Sequence, residues 1–161
     1  MSITDDKFSR RVILQGAGSI ALVGLGNLPF AVTPAFAAND KYPDDAFKAK
    51  SEADAIKALY GKAAEASDKI KLDAPEIAEN GAVVPVSVST TLADVTSISF
   101  LVSENPVVLV ASYRIPAGTM PSVANRIKMA KTSNVTVVVE AGGKVYSAAK
   151  EVKVTVGGCG G

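Results

Sequence analysis

From Lys69 onward the chain alternates short runs rich in β-branched residues with clusters of turn-forming residues, and few architectures accept that pattern. The runs are KIKLDAP, AVVPVSVST, VTSISFLVS, VVLVASYRI, SVANRIKMAK, NVTVVVEA and KVYSAAKEVKVTV, seven candidate strands. Asn80-Gly81, Asn105-Pro106, Pro116 to Gly118, Ser133-Asn134 and Gly142-Gly143 stand at the breaks. Gly142-Gly143 suits a two-residue hairpin, whose central positions need positive φ. Regular short strands separated in this way predict a mainly β fold, a sandwich of about seven strands.

Ahead of the strands, YPDDAFKAKSEADAIKALYG places Ala46, Ala49, Ala53, Ile56 and Tyr60 at spacings of three and four. That periodicity predicts one amphipathic helix, capped by Asp44 or Asp45 and stopped by Gly61. Its apolar face is thin, so the helix needs a larger surface to pack on, for which the sheet is the candidate. A shorter helical stretch is expected from Lys62 to Ser67.

The longest apolar run, Val12 to Phe30, lies near the N-terminus and follows the paired Arg10 and Arg11 of FSRRVILQ. This segment resembles a twin-arginine export signal of pattern Ser-Arg-Arg-x-Phe-Leu-Lys. Ser9, Arg10, Arg11 and Leu14 match it, while Ile13 and Gln15 depart from it. Ala35 and Ala37 in TPAFAAND are small residues at the positions a signal peptidase reads, so cleavage is expected after Ala37. A retained membrane anchor is the competing reading, which the interrupting Gly and Pro residues disfavour. GAGSIA within the segment has the spacing of a dinucleotide fingerprint but lacks the strand and helix that make that motif work. The expected organisation is therefore a cleaved signal over 1–37, a helical segment over 38–67, a β-sandwich over 68–156 and a flexible arm over 157–161.

Without the signal, acidic and basic residues balance, and nothing points to nucleic acid. Residues 105–161 carry seven basic and two acidic groups, an asymmetry that a solvated face explains as readily as an anionic partner. The chain has no His and one Cys, which argues against a metal site or a nucleophilic triad. Asp44 with Asp45, and Glu76 with Glu79, read as capping and solvated groups. AGGK at Ala141 to Lys144 lacks P-loop spacing, and the sequon at Asn134 has no use on a twin-arginine route. No cofactor is expected, and the chain by itself does not read as an enzyme.

The tail is the distinctive feature. Val152, Val154 and Val156 alternate with polar residues as a strand with one buried face, and GGCGG follows. Four residues without Cβ flank the sole thiol, so little in the segment holds a conformation. An arm from Val156 to Cys159 reaches roughly 10 Å at 3.3–3.6 Å per residue and is narrow enough for a channel. An ordinary thiol is only about 3% ionised at pH 7, so its chemistry must come from a partner that activates or oxidises it.

VTVGGCGG, together with PEIAENGAVVPV (Pro75 to Val86), Asn105-Pro106 and RIK (Arg126 to Lys128), resembles the SoxY family, the sulfur carriers of the periplasmic thiosulfate-oxidising Sox system. The resemblance implies an immunoglobulin-like sandwich paired with SoxZ as a heterodimer, located in the periplasm without membrane insertion after processing. It implies covalent sulfur attachment at Cys159, with Gly157, Gly158, Gly160 and Gly161 forming the carrier arm. It also implies transient visits to SoxAX, which couples thiosulfate to the cysteine, to SoxB, which releases sulfate, and to the sulfane dehydrogenase SoxCD where present. Two other readings of the tail stand beside it. Cys159 is a disulfide tether of an exported structural sandwich, or Gly160-Gly161 is adenylated like a ubiquitin-like tail, which needs ATP.

Overall fold

The computed structural model describes residues 42–157. The segment expected to be an export signal, with Arg10 and Arg11, and the residues Gly158, Cys159, Gly160 and Gly161 lie outside the described residues. Two helices, α1 (Asp44–Lys48) and α2 (Glu52–Tyr60), precede nine strands among the described residues. These are β1 (Glu65–Ala66), β2 (Ile70–Asp73), β3 (Ile77–Ala78), β4 (Val84–Thr90), β5 (Val95–Val102), β6 (Leu109–Arg114), β7 (Ser122–Ile127), β8 (Ser133–Ala141) and β9 (Lys144–Val154).

The strands form two sheets, ordered β1-β9-β8-β5-β6 and β2-β4-β7, with β3 added beside β9. The fold is mainly β, an immunoglobulin-like sandwich, as the strand pattern and the resemblance imply. All seven anticipated strands are present. The two further strands, β1 and β3, are two residues each and pair in parallel with β9, at Tyr146–Ser147 and Lys153–Val154. Strands so short carry no periodicity of their own and exist because β9 offers a partner. The expected helical stretch from Lys62 to Ser67 is accordingly replaced by β1.

Between β8 and β9 the Gly142-Gly143 turn has φ of 56° and 72°, the two positive values that a type I′ hairpin requires. It fixes a register running unbroken from Ala141↔Lys144 to Ser133↔Val152. Because the turn sets this register, it also sets which residues of β9 face the core and where the strand ends.

The six-stranded sheet is a middle layer. Ile98, Phe100, Val102, Val135, Val137 and Val139 face Ile70, Val84, Val86, Val88, Ile127 and Met129 in the core between the sheets. On the opposite face Leu101, Leu109, Val138 and Val145 meet Ala46, Ala55 and Ile56 of the helices. Burial on both sides explains why Val135 to Val139 reads as a near-continuous apolar run rather than an alternating one.

The single helix expected over this region is two. The chain is extended at Ala49 and Ser51, and the Ser51 hydroxyl oxygen accepts from the Asp54 N–H at 3.1 Å to start α2. Ser-x-x-Asp is the capping signal that breaks the periodicity. Gly61, at φ 68°, ends α2 as anticipated. Polar contacts then fasten α2 to the sheet. The Glu52 carboxylate accepts from Ser103 Oγ at 2.7 Å and Thr136 Oγ1 at 3.0 Å, while the Tyr60 hydroxyl lies 2.7 Å from Ser99 Oγ and accepts from Ser97 Oγ at 3.3 Å.

Burial pushes the Tyr60 phenol above its ordinary value of 10.0; hydrogen bonds with Ser97 and Ser99 oppose the shift and the Glu140 charge adds to it. A phenol whose folded value is raised contributes stability that is complete below the unfolded value and is lost as pH rises toward the folded one. The stability difference between wild type and Tyr60→Phe, measured by urea unfolding, is therefore expected to shrink as pH rises through about 10. A difference constant from pH 7 to pH 11 would contradict this.

Candidate functional site

The end of β9 is where the fold meets the thiol-bearing segment, and a set of backbone hydrogen bonds holds it there. Residues 76–81 run alongside as a strap. Lys153 N–H donates to Glu76 O at 2.9 Å, Thr155 N–H to Ala78 O at 3.1 Å, and Thr155 Oγ1 to Glu79 O at 2.7 Å. Gly81 N–H then donates to Val156 O at 2.7 Å, beyond the last residue of the strand. On the other side Thr132 Oγ1 accepts from the Val154 N–H at 3.0 Å.

Gly81 serves two segments, since its own carbonyl accepts from the Met129 N–H at 2.7 Å. Its turn is built locally, the Asn80 side-chain oxygen accepting from Ala82 N–H at 2.8 Å, which is the Asx chemistry that makes Asn-Gly a turn. Asn105 braces the segment after β7: its amide donates to Lys128 O at 2.8 Å and its oxygen accepts from Ala130 N–H at 2.8 Å. Lys131 adds an exposed ion pair with Glu104 at 2.7 Å. Three stretches far apart in sequence, Pro75 to Val86, Asn105-Pro106 and Arg126 to Lys128, thus converge on the root of the tail. Each was singled out by sequence, yet their meeting point was not legible there, because every bond among them spans at least twenty residues.

Gly157 is the last described residue and sits against Ala130. A Cβ placed on it would lie 2.2 Å from Ala130 O, far inside contact distance and against backbone that has no rotamer to change. Glycine at 157 thus has a packing reason besides the narrowness and freedom expected of an arm. The strand also differs from its expected alternation: Val152 is buried and Val154 half-buried, but Val156 is exposed. The chain outruns the core just past the end of β9, and a backbone bond rather than side-chain burial secures Val156.

Elsewhere the described residues bring no catalytic set together. Among them no cluster of three or more metal-ligating side chains occurs, and no helix is long and apolar enough to cross a membrane. Asp44 and Asp45 stand in the first turn of α1. Glu76 and Glu79 serve the strap through their carbonyls. An open groove over β2, β4 and β7 holds Arg126, but Asp73 lines it too, so the guanidinium does not make it an anion site. AGGK is the β8–β9 hairpin.

Replacing Gly157 with Ala should push the tail off Ala130 and loosen the Gly81–Val156 bond, at a cost of about 1–3 kcal/mol spent locally. Amide exchange at Gly81 should accelerate at least tenfold while exchange at Val137 stays as in wild type. Unchanged exchange at Gly81 would show that the close approach has no mechanical consequence.

The fold and this root can be set beside known proteins. The sequence-family profile described as Sulfur oxidation protein SoxY matches residues 56–159. Among solved structures, the sulfur carrier protein SoxY from Chlorobium limicola f thiosulfatophilum is 48% identical, with a TM-score of 0.59 over 64% of this chain and 94% of that one. A superoxide reductase (neelaredoxin) from Ignicoccus hospitalis aligns at 21% identity over 53% of this chain and 80% of its own, with a TM-score of 0.47. Comparison with curated protein sequences returned no significant match. The matched span takes in residues 56–60 of α2, both sheets, the strap, Asn105, the root at Gly157 and the cysteine itself, and on that ground the chain belongs to the SoxY family of sulfur oxidation proteins.

Proposed function

We propose that the chain is a covalent carrier of sulfur intermediates in thiosulfate oxidation, holding them on the thiol of Cys159 and presenting them to partner enzymes. The observation that carries this reading is the contrast at Gly157. Up to that residue the tail is bonded on both sides to the sandwich, and immediately after it the sequence places the only cysteine between glycines. A thiol two residues beyond a fixed root is confined in position yet reachable by a protein surface.

The chemistry follows from what the thiol lacks. The chain has no His, and an ordinary thiol is only about 3% ionised at pH 7, so this reading gives each step to a partner. Conjugation joins the thiolate to the outer sulfur of thiosulfate as Cys–S–S–SO₃⁻ and delivers two electrons to a haem enzyme, the role proposed for SoxAX. Hydrolysis by SoxB adds water at the sulfonyl sulfur, releases sulfate and protons, and leaves Cys–S–S⁻. Where SoxCD is present, the sulfane sulfur takes its oxygens from water and gives its electrons and protons to that dehydrogenase, forming Cys–S–SO₃⁻, and a second hydrolysis releases sulfate and returns the free thiol. The proposed setting is the periplasm, reached by the twin-arginine route through Arg10 and Arg11, and the proposed stable partner is SoxZ in a heterodimer. Gly158, Gly160 and Gly161 keep the arm slim enough for each active site.

Cys159→Ser is expected to abolish loading and thiosulfate oxidation in a reconstituted system, with unfolding unchanged. Full activity in that variant would instead favour a disulfide tether. A bulky residue at 158, such as Gly158→Phe, should slow turnover by at least tenfold while leaving the thiol open to small alkylating reagents; unchanged turnover would remove the channel from the account.

A further inference from the structure

Among the described residues six large apolar side chains are well exposed: Tyr42, Ile77, Val83, Val107, Met120 and Val156. Three of them belong to the root of the tail. Val156 is the residue whose carbonyl Gly81 holds, Val83 follows two residues after Gly81, and Ile77 lies opposite Lys153 on the strap. Val83 and Val156 are 55% and 63% exposed and add little to the core, whereas the next residue after Val83, Val84, is wholly buried. The sandwich gains nothing from valine at these two positions, and polar residues would serve a solvated turn better.

Geometry says what covers them. With Gly157 held against Ala130, reach is counted from Gly157, and two residues at 3.3–3.6 Å each plus the side chain bring the sulfur no more than roughly 10 Å away. A protein whose reacting atoms meet that sulfur must bring the rim of its active-site mouth down onto the root. We propose that Val83, Val156 and Ile77 form an apolar collar on which the enzymes acting on Cys159 dock, each presenting an apolar rim around its mouth. The inference rests on the carrier reading and adds the surface that makes the thiol's visits specific. The collar is small, which fits brief encounters with more than one enzyme rather than a permanent complex. Its Lys131–Glu104 neighbour is internally neutralised, and the exposed Glu76, Glu79 and Lys153 of the strap carry charges of both signs around the apolar residues.

The test uses the full chain with its partner subunit, thiosulfate and the conjugating haem enzyme, and compares wild type with Val83→Asp, Val156→Asp and the double variant. Loading of Cys159 is followed by intact mass, and thiol access by the rate of iodoacetamide alkylation. The double variant is expected to raise the KM for loading at least tenfold, with kcat and alkylation within twofold of wild type. Met120→Asp, equally open to solvent but at the opposite end of β7, should load as wild type does. Loading unchanged in the double variant, alkylation slowed by the same factor, or an equal loss in Met120→Asp would each overturn the collar. Absence of loading in wild type would overturn the carrier reading itself, and the collar with it.

Discussion

The pairing of β9 with β8 is the constraint on which the rest depends. Nine consecutive residue pairs, closed at one end by the Gly142-Gly143 turn, fix where every side chain of the last strand points. The opposite edge of β9 is then free to recruit β1 and β3, which have no reason to be strands without it. A one-residue slip would turn Val145 and Val152 out of their cores and move the end of the strand relative to its strap. The position at which the chain leaves the sandwich is thus decided at the hairpin, more than ten residues earlier.

Around that strand the molecule is layered. The inner sheet is buried against β2, β4 and β7 on one side and against the helices on the other, with Glu52 and Tyr60 supplying directional contacts where Ala46 and Ala55 offer little apolar area. Among the described residues, burial of Val, Ile and Leu, with Phe100 the one wholly buried phenylalanine, closes the core. The strap, the Asn105 brace and the segment after β7 extend this rigidity past the core to the exposed root. What reaches solvent there is backbone already committed to hydrogen bonds, so the thiol-bearing segment starts from a defined place.

Much of this was legible in the sequence, and the physical reason differs by element. β2 and β4 through β9 announce themselves because β-branched runs bounded by turn-forming residues are a local signal. Ser51 capping α2 was also readable, through Asp54 three residues on, but the alanine periodicity over both helices masked it. β1 and β3 were not readable, since two-residue strands have no period and depend on a partner some seventy to eighty residues away. Cys159 stood out by being alone. The root did not: Gly81, Asn105, Ala130 and Val156 are joined only by non-local bonds, and a glycine required for close approach at 157 looks the same in sequence as one serving an arm's freedom.

The proposed division of labour is between a fold that fixes a root and partner enzymes that supply all redox and hydrolytic chemistry to an ordinary thiol. Its most direct test is intact and C-terminal peptide mass spectrometry on the protein isolated from cells oxidising thiosulfate, with and without reductant. The account predicts adducts on Cys159 corresponding to a sulfane sulfur or a thiosulfonate group, removed by reductant. A free thiol or a protein–protein disulfide as the sole form under active turnover would contradict it.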